Sequence, residues 1–125
     1  MIAIEVENRS GVDGDEAGAA DLARRVLAAE GIEDGELGIA FVDRDGMRAL
    51  KRDYLGVDEP TDVLSFPIDG RAELPPGMPR ALGDVVLCPQ VVGERWRGPL
   101  THGLLHLLGY DHGAEMERRE QVHAG

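Results

Sequence analysis

The period of hydrophobic and polar positions changes along this chain, and each change marks an element. Ile2, Ile4 and Val6 alternate with polar neighbours, which predicts a half-buried strand over 2–7. Asn8 to Gly14 is rich in turn residues. Leu22, Val26 and Leu27 then recur at helical spacing among alanines. Acidic residues precede them and Gly31 follows, so the pattern predicts a helix over about 16–30. Residues 37–42 form a short apolar run, a second and more buried strand. Asp43 is placed to cap a second helix running through about Tyr54. Met47 and Leu50 would face inward, and Arg44, Arg48, Lys51 and Arg52 would form a more exposed basic face.

Pro60 and Pro67 bracket a third strand at about 62–66. Gly70, Pro75, Pro76, Gly77 and Pro79 break any regular pattern over 68–81, a loop long enough to lie over a cleft. A fourth strand is expected over 83–88, stopped by Pro89. Residues 90–97 suit a short helix containing Trp96, broken at Gly98 and Pro99. Pro99 then opens a new helix over 99–108. Leu100, Leu104, Leu105, Leu107 and Leu108 make that helix apolar all round, hence buried. A short charged helix over about 115–122 ends the chain, with His123 as a solvated tail residue. Four strands and four to five helices predict an α+β fold. It would be one small mixed four-stranded sheet with the helices packed on it, 1–125 forming a single domain.

Composition narrows the class. Hydrophobic residues are 42% and charged residues 30%, which argues against wholesale disorder. No apolar run approaches the roughly 20 residues of a membrane span. The N-terminus has neither the basic region nor the cleavage site of a signal peptide. One cysteine, Cys88, excludes an internal disulfide and reads as a small buried hydrophobe. A cytoplasmic protein is expected, with no membrane partner. The net charge of −11 opposes tight, non-specific binding to nucleic acid, so no DNA partner is expected. A local basic patch remains compatible with it. Arginine is the better fork for phosphate, and all the basic residues but Lys51 are arginine.

The candidate chemistry is concentrated at 101–112, which holds three of the four histidines. His102 and His106 are four apart, so a helix projects both rings from one face. Gly109 can end that helix in the left-handed conformation, and the chain can then turn to offer His112. Neutral imidazole is a common zinc ligand, and three ligands leave a fourth position open, the layout of a catalytic site. His102, His106 and His112 are therefore the expected metal ligands, with Zn2+ as the expected single ion. Another divalent transition metal would also suit such a site. The spacing matches the histidine and glycine positions of H-E-x-x-H-x-x-G-x-x-H, the metzincin peptidase signature. The glutamate that acts as general base there is replaced here by Gly103, which weakens a peptidase reading.

The run H-G-x-L-H-L-x-G-Y-D-H at 102–112, the P-T-D-V-L-S-F-P stretch at 60–67 and the G-D-V strand at 83–85 together resemble the YbeY endoribonucleases. The resemblance spans about Leu37 to the final helix. It implies a metal-dependent, single-strand-specific endoribonuclease that matures ribosomal RNA, notably the 3′ end of 16S rRNA, and acts in ribosome quality control. It implies single-stranded RNA as substrate and the small ribosomal subunit as partner, and it assigns the metal to His102, His106 and His112. Two departures stand out. Many members of the family carry an arginine in a Tyr-Arg-Gly-Lys-Asp run, where this chain has Leu55 and Val57. Arg52 or Arg48 is a candidate substitute. The connection from the G-D-V strand to the histidines is also shorter here, leaving one helical turn before His102.

A bound ion would polarise a phosphoryl oxygen and lower the pKa of its water to roughly 7. Attack by water and attack by the 2′-hydroxyl both remain open, and the catalytic residues are unknown. Asp111 suits a bond to a ligand's ring N–H. Asp84 and Asp62, at strand starts, would reach the cleft or serve as caps. Ser65 has no identifiable base. The alternatives are another zinc hydrolase such as a peptidase, or a non-catalytic ribosome-associated factor with a structural metal.

Overall fold

The structure, a computed structural model, describes residues 1–55, 62–110 and 113–124, with residue 55 described by its backbone alone. Strands β1 (Ile2–Asn8), β2 (Gly35–Phe41), β3 (Val63–Pro67) and β4 (Ala81–Leu87) form one sheet in the order β1-β2-β4-β3. The β1–β2 and β2–β4 pairs are parallel, and β3 runs antiparallel to β4 along the edge. The helices are α1 (Glu16–Ala29), α2 (Arg44–Leu55), α3 (Pro89–Val92), α4 (Arg97–Leu107) and α5 (Ala114–Ala124). This is the mixed four-stranded α+β arrangement that the hydrophobic pattern predicts.

Local chemistry explains the boundaries. The Asp15 carboxylate accepts from the Gly18 N–H at 2.9 Å and caps α1, and the Asp43 carboxylate accepts from the Gly46 N–H at 2.7 Å at the start of α2. The region expected as one helix over 90–97 is a single turn, α3, followed by a 3-10 turn at Gly93–Arg95. Gly98 and Pro99 do not break the next helix. They lie in the first turn of α4, where the N–H that proline lacks has no helical acceptor in any case. So α4 starts two residues earlier than expected, and more than one turn precedes His102. After its last residue the chain reverses at Gly109, whose φ of +96° is open to glycine at little cost.

The sheet's two faces are divided by the two-residue alternation of its strands. On one face Leu37, Ile39, Phe41, Val85 and Leu87 pack with Leu22, Val26 and Leu27 of α1 and with Leu100, Leu104 and Leu107 of α4. These α4 leucines are almost wholly buried, so α4 is the core helix that its composition predicts. On the other face a smaller cluster joins Val42, Val86 and Cys88 to Met47 of α2. The loop before β4 folds on itself, since the Arg80 guanidinium donates to the Gly70 and Ala72 carbonyls at 2.6 and 2.8 Å.

Candidate metal centre on helix α4

Helix α4 meets the sheet through Gly103, and this contact sets its roll. A Cβ at Gly103 would lie 2.8 Å from Val85 Cγ1, 3.1 Å from Ser65 Oγ and 3.1 Å from Val63 Cγ2. Only a residue without a side chain lets the helix come so close. The Ser65 hydroxyl donates to the Gly103 carbonyl at 2.9 Å and ties β3 to the helix. Ser65 is thus engaged as a brace.

With Gly103 turned to the sheet, His102 and His106 fall on the flank of α4 away from Leu100, Leu104 and Leu107, and both are half-buried. Their rings stand nearly perpendicular, 84° apart with centroids 4.6 Å apart, and the two Nε2 atoms are 3.1 Å from each other. A tetrahedral ion with zinc–nitrogen bonds of about 2.0–2.1 Å holds two nitrogens about 3.3 Å apart. The two imidazoles therefore fit one shared ion with little movement. His112, the third expected ligand, and Asp111 lie outside the described residues, as do residues 56–61. Among the described residues no three histidine, cysteine, aspartate or glutamate side chains converge as a metal cluster.

Two carboxylates near this helix carry no signal in the sequence. Glu120 of α5 places Oε1 3.3 Å from His102 Nδ1, the ring nitrogen facing away from His106. Glu30, the residue after α1, has a side chain only 2% exposed. It accepts from the Tyr110 hydroxyl at 2.7 Å, from Arg119 Nε at 2.8 Å and from Arg71 at 3.2 Å, and it lies 2.9 Å from His123 Nε2. Burial pushes the Glu30 pKa up. Hydrogen bonds from Tyr110, Arg119 and His123, with the Arg119 charge, outweigh that and hold it at about 2. The bond to Glu30, followed by burial, raises the Tyr110 hydroxyl in turn. His123 is thus no solvated tail residue: its side chain is 6% exposed and locked onto Glu30. Because Tyr110 follows the helix-ending Gly109, Glu30 ties the end of α1, the loop before β4, the turn after α4 and α5 together.

The sign of that shift sets an expectation. Glu30 favours its charged form in the folded state, so its contribution is full above its unfolded pKa near 4.5 and is lost as pH falls toward about 2. A displacement of this size is worth about 3 kcal/mol. Glu30→Gln should lower stability at pH 7 by about 2–4 kcal/mol in urea unfolding. The gap from the wild type should close between about pH 4.5 and 2. Equal midpoints at pH 7 would show that the cluster contributes nothing.

The two aspartates expected near the cleft separate. The Asp62 side chain accepts from the Val63 N–H at 2.8 Å, a strand-start bond. Asp84 is a correction: it stands within β4 and is exposed on the face away from α4. It lines a groove with Glu5, Glu7, Gly38 and Phe66. The reason is parity. Val85 faces α4, so its neighbour must face the other way. Arg52, a candidate for the missing arginine, pairs with Asp53 at 3.3 Å on the exposed surface of α2.

A histidine-bearing helix clamped by a glycine against the edge of a mixed sheet, with a carboxylate behind one ring, defines the class: an α+β domain organised around an imidazole site. The sequence profile described as Endoribonuclease YbeY matches residues 4–124. Proteins named Endoribonuclease YbeY from Beutenbergia cavernae and Acidothermus cellulolyticus are 46% and 44% identical to this chain. The alignments cover 93% and 94% of it and 87% and 83% of theirs. The chain belongs to the YbeY endoribonuclease family. The Beutenbergia alignment runs over 132 residues, more than this chain has, so that relative carries residues without a counterpart here. The solution structure of TM1509 from Thermotoga maritima matches the fold with a TM-score of 0.58 at 24% identity, over 98% of this chain and 86% of that one.

Proposed function

We propose that this protein is a metal-dependent endoribonuclease that cuts single-stranded RNA in ribosomal RNA processing, at the 3′ end of 16S rRNA and in ribosome quality control. The small ribosomal subunit is its partner and the cytoplasm its place of action. No helix among the described residues is long and apolar enough to cross a membrane, in keeping with that location. Membership of an endoribonuclease family supports RNA as substrate. The observation that carries the metal dependence is the 3.1 Å approach of the His102 and His106 Nε2 atoms.

In this reading His102, His106 and His112 hold one ion, with zinc the best match to three imidazoles. When bound, the ion supplies Lewis-acid polarisation of a phosphoryl group. The chain's own residues do the positioning. Gly103 and Ser65 fix the roll of α4, and the buried leucines hold its depth. Glu30, through Tyr110, fixes where the chain leaves the helix. The peptidase alternative loses further ground. The base of a glutamate side chain at position 103 would collide with Val85, Val63 and Ser65, so this packing leaves no room for the peptidase base there.

The test is cleavage of a single-stranded RNA by purified protein, with and without a chelator, and after zinc is returned. Cleavage should stop with chelator and resume with zinc, while duplex RNA and an unstructured peptide stay intact. Cleavage that ignores the chelator would remove the metal from the mechanism. A protein that binds zinc and cuts nothing would favour a structural metal.

A further inference from the structure

We infer that Glu120 of α5 is a positioning residue for the metal centre, holding the His102 ring with its proton on Nδ1 and its Nε2 lone pair turned to the ion. The inference rests on the metal-dependent reading above. A neutral imidazole carries one N–H, and its tautomer follows the hydrogen bond that the other nitrogen makes. His102 Nε2 is directed at His106, and Nδ1 is directed at the Glu120 carboxylate, whose Oε1 lies 3.3 Å away. A carboxylate accepts and cannot donate. Contact with it therefore selects the Nδ1–H tautomer, the form whose Nε2 can ligate. It also raises the basicity of that nitrogen and fixes the ring's rotation.

The placement of Glu120 follows from how α5 docks. Met116, Arg119, Glu120 and His123 recur at helical spacing and share one face. Met116 is 1% exposed, and Arg119 and His123 close on the buried Glu30 carboxylate. Those three contacts fix the roll and height of the helix, so Glu120 is delivered to His102 by a docking it does not itself provide. Its side chain keeps 35% exposure and that of His102 27%, so the pair sits at the rim of the site and contributes little to packing.

The experiment compares wild type, Glu120→Ala and Glu120→Gln. Zinc affinity is read by competition with a chromophoric chelator. The tautomer of His102 is read in the metal-free protein by long-range 15N–1H correlation at about pH 8.5, where an ordinary imidazole is neutral. Its signals are assigned by their loss in His102→Gln. Glu120→Ala should weaken zinc binding about ten- to a hundredfold. It should shift His102 away from the Nδ1–H form, with the melting temperature of the metal-free protein unchanged. Glu120→Gln, which keeps an acceptor oxygen, should restore the tautomer and most of the affinity. An unchanged tautomer in Glu120→Ala overturns the inference, and so does unchanged zinc affinity. Should the wild type bind no zinc at all, the metal-dependent reading fails first. The tautomer in the metal-free protein then still decides whether Glu120 orients His102.

Discussion

His106→Ala is expected to stay folded and to lose RNA cleavage by at least about two orders of magnitude, since even residues that only support a metal ligand change activity ten- to a hundredfold. The ring of His106 lies on the half-buried side of α4, away from the leucines that fill the core. Alanine is the better helix former by a few tenths of a kcal/mol, roughly offsetting the lost ring contacts. The metal-free variant should therefore melt close to the metal-free wild type. It should retain less than one equivalent of zinc after dialysis. Circular dichroism melts, zinc content and cleavage of single-stranded RNA read the three parts separately. A folded variant that still cuts RNA at the wild-type rate would dismiss the histidine pair as the reactive centre. If the variant unfolds and the wild type cuts no RNA, the metal has a structural role.

Gly103→Glu is expected to leave no folded protein, and Gly103→Ala to destabilise. The alanine result is the sharper one, because its sign reverses the ordinary rule. In an exposed helix interior, glycine to alanine gains about 1 kcal/mol. Here the new methyl would sit 2.8 Å from Val85 Cγ1, with Ser65 Oγ and Val63 Cγ2 each at 3.1 Å. Val85 is a fully buried, branched side chain and has nowhere to retreat. Overpacking of this kind costs about 1–3 kcal/mol, enough to cancel the propensity gain and exceed it. It also pushes α4 off β3 and strains the Ser65 bond to the Gly103 carbonyl. Glutamate adds a carboxylate driven into that apolar contact, costing several kcal/mol more, which a small domain with about 5–15 kcal/mol in hand does not survive. Thermal melts of Gly103→Ala decide the matter. A melting temperature at or above wild type would mean that the helix is not clamped at this position.

Sequence and structure divide the work in a physical pattern. Interactions between near neighbours in the chain were legible. The alternation of Ile2, Ile4 and Val6, the Asp43 cap, the helix-ending Gly31 and Gly109 and the four-residue spacing of His102 and His106 are all local. Their periods and φ angles are determined within a few residues. The all-leucine character of α4 announced its burial, because a helix apolar on every side has no stable place at a surface. Motif resemblance carried the family.

Tertiary packing decided the rest. Glu30 and His123 are 93 positions apart, His102 and Glu120 18 apart. Nothing in the residues around any of them marks the pairing. His123 looked like a terminal polar residue until α5 folded it onto a buried carboxylate. Asp84 looked like a strand-start acid, but register and parity turned it away from α4. Gly103 read as a missing base, and the packed fold makes it the contact that lets helix and sheet touch. The sequence alone determined which helix carries the histidines and that it is buried. The roll of that helix, and the carboxylate behind one ring, required the sheet and α5. Side-chain direction in a packed core is set by neighbours that are distant along the chain, and no local period encodes them.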